Sequence, residues 1–310
     1  MTMLDVQGVS KSFANLRAAD NVRFKVEAGE IYGLLGPNGA GKTTTISMIS
    51  GLLRPDGGRI TVGGADVWTH PKEAKALMGV APQELAIYDE LSARENLEFW
   101  GQMAGLKRAE AKARATELLE TLALADRAKD AVKTYSGGMK RRINIGCALL
   151  HRPKLLLLDE PTVGIDPQAR SNILELVRQL SRDGASILYT THYLEEAEFL
   201  CDRIGIIDHG QLLAEGTLPE LQKRLGGDRL FLVEGKFENA TPETWPGFAD
   251  RFRLIQKTNA QITVAAVGQR DPADCLRDLL QLPVQAENVM LKRPSLNDVF
   301  LQLTGRELRE

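Results

Sequence analysis

The chain has 310 residues, 43% hydrophobic and 26% charged, enough for one large domain or a large and a small one around ordinary buried cores. Its formal net charge is −2 with no block of like charge, which argues against a polyanion binder and so against nucleic acid as a partner. Cys147, Cys201 and Cys275 are widely spaced and form no C-x-x-C pair, so neither a disulfide framework nor a zinc site is indicated, and a reducing cytoplasm fits.

Strand patterns open the chain at residues 4–9 and 22–26, with Phe13-Ala14-Asn15-Leu16 between them. The first residues carry Asp5 and no basic-then-apolar leader, so no targeting segment is expected. Ile31-Tyr32-Gly33-Leu34-Leu35 is an apolar strand that runs into Gly36-Pro37-Asn38-Gly39-Ala40-Gly41-Lys42-Thr43, a full G-x-x-x-x-G-K-T phosphate loop, and a helical stretch follows from Thr44 to Ser50. The glycines let backbone N–H groups turn inward around phosphate oxygens, and the helix points its positive end at them. Lys42 supplies a mobile cation for the outer phosphates, and the Thr43 hydroxyl is placed for Mg²⁺.

Residues 54–58 read as a turn, 59–62 as a strand, 71–77 as a short helix opened by Pro71, and 78–81 as another strand. From 84 to 150 the pattern becomes all-helical. Ser92-Ala93-Arg94-Glu95 is a capping box followed by helix-spaced Leu97, Trp100 and Met103, and 109–123 is rich in strong helix formers. Ser136-Gly137-Gly138 at a helix start is a second ready anion site.

The α/β pattern resumes with Leu155-Leu156-Leu157-Leu158, the continuous apolar run of a buried parallel strand. Asp159 at its carboxyl end is where a phosphate-bound Mg²⁺ needs an anchor, and Glu160 is placed to polarise a water beside the terminal phosphate. Asp166-Pro167 starts a helix to about residue 182, with Ile173, Leu176, Val177 and Leu180 on one face. Strands are expected at 186–191, 203–207 and 211–215. Thr217-Leu218-Pro219-Glu220 caps a short helix ending at Gly226-Gly227, where the domain boundary is set. In the tail, strands are expected at 229–234, 262–267 and 284–291, with helices at 272–280 and from Ser295. No run of about 18 uncharged apolar residues exists, so any membrane role is expected through a partner chain.

Over about residues 1–225 these features resemble the nucleotide-binding subunit of ABC transporters. Residues 36–43 correspond to its Walker A loop and 155–159 to Walker B, with Glu160 as catalytic glutamate. Tyr135-Ser136-Gly137-Gly138-Met139 matches the signature Leu-Ser-Gly-Gly-Gln except that Met139 replaces glutamine. Gln83 fits the Q-loop, Val163-Gly164-Ile165-Asp166 the D-loop and His192, after Thr191, the switch histidine. Phe13 stands where an aromatic residue, usually tyrosine, stacks on adenine.

The resemblance implies an α/β fold: a RecA-like P-loop NTPase core with an antiparallel β subdomain and a helical subdomain at about 84–150. A small C-terminal α/β accessory domain at 226–310 follows. It implies ATP and Mg²⁺, with Thr43, Gln83 and Asp159 at the metal and Glu160, His192 and Gln83 in catalysis. Two such domains, a homodimer or a paired ATPase subunit, would pack head to tail. ATP would then lie between Phe13, Gly36, Pro37, Asn38, Gly39, Ala40, Gly41, Lys42, Thr43 and Thr44 of one and Ser136, Gly137, Gly138 and Asp166 of the other. The expected partner is a separate transmembrane permease, and the expected location is cytoplasmic, peripherally bound to the membrane.

The tail, with Gly-Thr-Leu-Pro-Glu-Leu at 216–221 and Pro294-Ser295-Leu296-Asn297-Asp298-Val299-Phe300, resembles the ATPases of ABC-2 exporters, the daunorubicin-type efflux group in particular. The stripe Leu296, Val299, Phe300 and Leu303 reads first as core of that tail and second as a dimer contact. The function implied is ATP hydrolysis coupled to multidrug export. The alternative is a soluble ABC ATPase acting on ribosomes or DNA; a single cassette without a charged linker, long coiled coil or zinc hook weighs against it. A degenerate cassette is disfavoured because Lys42, Asp159, Glu160 and His192 are all present.

Overall fold

Alternation along the first residues builds a long antiparallel hairpin, β1 (Thr2–Phe13) with β2 (Leu16–Glu27). Leu4 and Val6 are buried two apart, and the pattern then steps to Val9 because the register shifts between Val6 and Val9. Next come β3 (Ile31–Leu35), α1 (Lys42–Ile49), β4 (Gly57–Val62), β5 (Ala65–Asp66), α2 (Pro71–Ala76) and β6 (Met78–Ala81). The first sheet has the order β2-β1-β4-β5 and is antiparallel throughout. The computed structural model describes residues 1–224, 230–237, 241–268, 270–281 and 286–305.

The helical stretch contains α3 (Ala93–Met103), α4 (Arg108–Thr121) and α5 (Gly137–Ala148). Ser92 and Glu95 form the reciprocal capping box that starts α3. Leu97 is fully buried, whereas Met103 in the last turn is 67% exposed, so the apolar stripe of α3 does not run its whole length. Helix α3 packs on both α4 and α5.

The second sheet is completed by β7 (Leu155–Asp159), α6 (Pro167–Arg182), β8 (Ser186–Thr191), α7 (Leu194–Leu200), β9 (Arg203–Asp208) and β10 (Gln211–Gly216). Its order is β10-β9-β3-β8-β7-β6, and the pairs β3/β8, β3/β9, β7/β8 and β6/β7 are parallel. Every residue of β3, β7 and β8 is buried, the reason residues 31–35 and 155–158 read as apolar runs. Ile173, Leu176, Val177 and Leu180 of α6 pack into this core. Helix α7 is absent from the sequence expectation: Leu-Glu-Glu-Ala-Glu-Phe-Leu is short and acid-rich, and its buried positions include Glu196 itself.

The chain divides into two compact units, Met1–Leu213 and Ala214–Glu310. The boundary expected at 225/226, with Gly226 and Gly227, lies outside the described residues, as do Arg229 and residues 284–285 at the ends of two expected strands. Helix α8 (Leu218–Lys223) packs against the last helix and therefore counts with the second unit. That unit holds β11 (Leu230–Gly235), α9 (Phe248–Arg251), β12 (Phe252–Lys257), β13 (Gln261–Ala266), α10 (Pro272–Leu280), β14 (Ala286–Lys292) and α11 (Leu296–Thr304). Its antiparallel sheet has the order β12-β13-β11-β14. Strand β12 has no clean alternation to announce it, because it is an edge strand carrying Arg253, Gln256 and Lys257. Leu296, Val299 and Phe300 of α11 are buried and Leu303 is 37% exposed. Among the described residues, no helix is long and apolar enough to cross a membrane.

Leu157 on β7 is fully buried in the core. Leu157→Ala is expected to lower unfolding stability by about 2–5 kcal/mol. Leu52→Ala, at a position 80% exposed, should change it by under about 0.5 kcal/mol. Urea denaturation of both variants checks this, and equal shifts would contradict the packing.

Candidate functional site

The phosphate loop joins β3 to α1 through backbone that side chains would obstruct. Gly41 is the N-cap of α1 at φ 102°, and a Cβ there would lie 2.2 Å from the Ala18 carbonyl oxygen of β2. A Cβ on Gly36 would lie 2.2 Å from the Ile207 carbonyl oxygen of β9. The loop is thus wedged between two neighbouring strands. Lys42 is only 3% exposed and turns back over the loop, donating to the carbonyl oxygens of Gly36 at 2.6 Å and Pro37 at 2.9 Å. Its Nζ also lies 2.9 Å from Glu160 Oε1.

Glu160 follows the last residue of β7 and adopts φ +44°, an unusual conformation for a non-glycine residue. Such backbone costs of order 1–3 kcal/mol and persists where neighbours over-determine it. Here the Glu160 N–H donates to Thr190 Oγ1 at 2.9 Å and faces the Thr190 carbonyl oxygen at 3.2 Å. The same Thr190 hydroxyl donates to Asp159 Oδ1 at 2.6 Å. One threonine on β8 therefore holds the Asp159 carboxylate and the Glu160 backbone together at the end of β7. The other oxygen of Glu160, Oε2, lies 3.2 Å from His192 Nδ1. Lys42, Glu160 and His192 form a continuous buried chain of polar contacts.

A cavity of about 440 Å³ opens above this chain. Phe13, Asn38, Gly39, Gly41, Lys42, Thr43, Thr44, Gln83, Glu160 and His192 line it, together with Leu16, Ala18 and Val163. Gly36, Pro37 and Ala40 belong to the loop without lining the cavity, and Asp159 is buried and does not line it either. Phe13 presents a 46% exposed ring to the opening, with Lys11 Nζ 5.9 Å from its centroid. Ser136, Gly137, Gly138 and Asp166 do not line the cavity. Ser136 caps α5 by accepting from the Met139 N–H at 3.3 Å, and Asp166 caps α6 by accepting from the Ala169 N–H at 2.9 Å. The two caps are neighbours: a Cβ on Gly138 would lie 2.4 Å from Ala169 Cβ. Among the described residues no group of three or more His, Cys, Asp or Glu side chains is arranged around a metal position.

Several residues at the site escaped the sequence reading. Thr190 is one. Arg141 and Asn144, on the helix after Ser136, are two more. Arg141 donates to the carbonyl oxygens of Pro82 at 3.0 Å and Gln83 at 2.8 Å. Asn144 donates to Pro82 O at 3.1 Å and accepts from the Ala86 N–H at 3.0 Å. Burial pushes the Arg141 guanidinium below its ordinary pKa, with Tyr189 and Asp159 pulling it back up. The available signal was spacing: Gly138, Arg141, Ile145 and Ala148 recur at helical intervals and are all buried. Cys147 on the same helix is pushed by burial to about 12, an inert thiol.

The comparisons agree with this geometry. Residues 19–163 match the family described as ABC transporter. The linearmycin resistance ATP-binding protein LnrL of Bacillus subtilis is 46% identical over 321 residues, covering 99% of this chain and 100% of that one. The daunorubicin resistance ATP-binding protein DrrA3 of Streptomyces coeruleorubidus is 41% identical over 312 residues, 99% of this chain and 98% of its own. A solved ATP binding subunit of an ABC transporter superposes with a TM-score of 0.65 at 35% identity, over 72% of this chain and 93% of that one. The fold and the site define an α/β P-loop nucleotide-binding protein. The chain belongs to the ABC transporter family, is similar to its drug-resistance ATP-binding subunits, and its chemistry is that of an ATPase. Subunits of this family bind ATP, dimerise and pair with transmembrane permeases.

Arg141 serves two consecutive carbonyls that a lysine ammonium cannot reach in the same fork geometry. Arg141→Lys is expected to cost about 1–3 kcal/mol through the carbonyl left unpaired and to speed amide exchange at 83–86. Thermal unfolding and hydrogen-exchange mass spectrometry read the two effects; unchanged exchange there would show that Arg141 does not hold the segment.

Proposed function

We propose that this chain hydrolyses ATP at a head-to-tail dimer interface and thereby drives export of a drug-like compound through a separate membrane permease. The observation that carries the proposal is the convergence of Lys42, Glu160 and His192 on the cavity framed by the phosphate loop. The export arm rests on the likeness to the resistance proteins over nearly the full chain. In this reading residues 1–225 are the ATP-binding domain and 226–310 an accessory domain. The protein works at the cytoplasmic face, held to the membrane peripherally by its permease.

Each residue then has a role. Phe13 offers its ring face to adenine. Backbone N–H groups of Gly39, Gly41, Lys42, Thr43 and Thr44 take the phosphates, and the Lys42 ammonium meets the outer ones. Glu160 accepts the proton of the attacking water as its oxygen bonds to the γ-phosphorus and the bond to the bridging oxygen of ADP breaks. His192, bonded to Glu160, holds the γ-phosphate and the water in line. Ser136, Gly137, Gly138 and Asp166, away from this chain's own cavity, serve the partner subunit's nucleotide.

Thr43, Gln83 and Asp159 fit a Mg²⁺ ion: all three offer hard oxygen donors, and Thr43 and Gln83 share the cavity lining. Asp159 is kept oriented by the Thr190 hydroxyl. Mg²⁺, when bound, neutralises the charge of the β- and γ-phosphates.

Lys42→Ala should weaken ATP binding by about 2–5 kcal/mol, since it leaves phosphate charge and Glu160 without their cation. Titration with a fluorescent ATP analogue measures this, and an unchanged affinity would move the nucleotide elsewhere. Glu160→Gln keeps the side-chain shape but cannot take a proton, so hydrolysis should fall by about 10²–10⁴-fold with binding retained. ATP then persists and bridges two subunits, stabilising the dimer by mass action. Light scattering should show a monomer-to-dimer shift with ATP and none with ADP. An identical response to both nucleotides would rule out the γ-phosphate as the bridge.

A further inference from the structure

Among the buried carboxylates outside the machinery described so far, Glu196 is the one tied to segments on either side of the site. Glu196 on α7 is 2% exposed, yet three hydroxyls converge on it. Thr162 Oγ1 donates to its Oε1 at 2.6 Å; Thr191 Oγ1 and Tyr189 OH donate to its Oε2 at 2.7 Å and 3.0 Å. The Arg170 Nε lies 3.7 Å from Oε1 and offsets the buried charge. A buried carboxylate with this many donors is well satisfied, and that alone is compatible with a structural post. The position of the donors points further.

Thr162 is two residues beyond Glu160 on the segment leaving β7. Thr191 precedes His192 at the end of β8. Its hydroxyl both donates to Glu196 and accepts from the Tyr193 N–H at 2.9 Å, so the backbone on either side of His192 is pinned to one point. The guanidinium of Arg170 lies 4.3 Å over the Tyr193 ring, and that ring lies 4.1 Å from the imidazole of His192. Glu160 and His192 come from different strand ends and must meet at 3.2 Å. Glu196 ties the segment carrying one to the segment carrying the other.

We propose that Glu196 is a positioning residue for ATP hydrolysis: by accepting from Thr162 and Thr191 at once, its carboxylate fixes the separation of Glu160 and His192. The inference rests on the roles assigned to those two residues above. Glu196 does not line the cavity, so its loss should reach the rate and spare binding. Misplacing catalytic groups by a fraction of an ångström is enough to slow the chemistry.

The test uses the purified full chain, with kcat for Mg-ATP hydrolysis and affinity for ADP measured on the same preparations. Glu196→Gln keeps the volume but cannot accept all three hydroxyls. It should lower kcat by at least about fivefold while ADP affinity stays within about twofold. Thr162→Val removes a single hydroxyl and should lower kcat likewise, and Thr162→Ser, which restores it, should return to within about twofold of wild type. This pair decides the matter if Glu196→Gln fails to fold. A kcat loss below fivefold, a parallel loss of ADP affinity, or a Thr162→Ser variant as slow as Thr162→Val would overturn the positioning role. Glu160→Gln run alongside separates the two levels. If it hydrolyses at the wild-type rate, the assigned site falls and the clamp with it. If it is inactive while Glu196→Gln is not slowed, the clamp alone falls.

Discussion

A lysine and a glutamate held 2.9 Å apart, each almost entirely out of water, set the terms for the rest of this structure. Removing such ions from water costs several kcal/mol each, and mutual attraction offsets this only when the remaining donors and acceptors are also satisfied. The surroundings meet that demand. Lys42 gives its other protons to the carbonyl oxygens of Gly36 and Pro37, and Glu160 has His192 at its second oxygen. The pair is therefore poor evidence for stability and good evidence for a site built to exchange partners. In the proposed function, phosphate oxygens would take the place of the carboxylate at Lys42, and Glu160 would keep His192.

The sheet order brings these groups together. β3 lies between β8 and β9, and β7 lies on the far side of β8. All four run parallel, so the phosphate loop, the Asp159–Glu160 pair and the Thr191–His192 pair leave from the same edge. Ligands of open α/β sheets bind at the carboxyl ends of the strands for this reason. Thr190, on the middle strand of the three, bonds both the Asp159 carboxylate at the end of β7 and the backbone N–H of Glu160 just after it.

What was legible in the sequence is what local physics determines. The phosphate loop needs Gly41 because φ 102° and the nearby Ala18 oxygen exclude a side chain, and that demand is written into the spacing itself. Buried strands such as β7 announce themselves by unbroken leucines, and α3 by its Ser92–Glu95 box. What was not legible depends on partners far along the chain. Thr190 and Glu196 look like an ordinary strand threonine and one more acid in an acid-rich helix until β7 and β8 are laid side by side. Met103 misled for the converse reason: helical spacing places it on the stripe, but the stripe outruns the core that α4 and α5 supply.

The contacts of α5 carry the argument one step beyond the cavity. Arg141 and Asn144 hold the carbonyls of Pro82 and Gln83 and the N–H of Ala86, so the segment bearing Gln83 is fastened to the helix that Ser136 begins. The start of that helix in turn sits against the start of α6, where Gly138 meets Ala169 just after the Asp166 cap. Three motifs far apart in sequence thus meet at one helix. Hydrogen bonds to Pro82, Gln83 and Ala86 on one side of α5 and the close approach of Ala169 on the other place the Gln83 segment and the Asp166 cap against the same helix. The cavity holding Lys42 and Glu160 and the caps that lie away from it are in this way linked through protein, before any second subunit is considered.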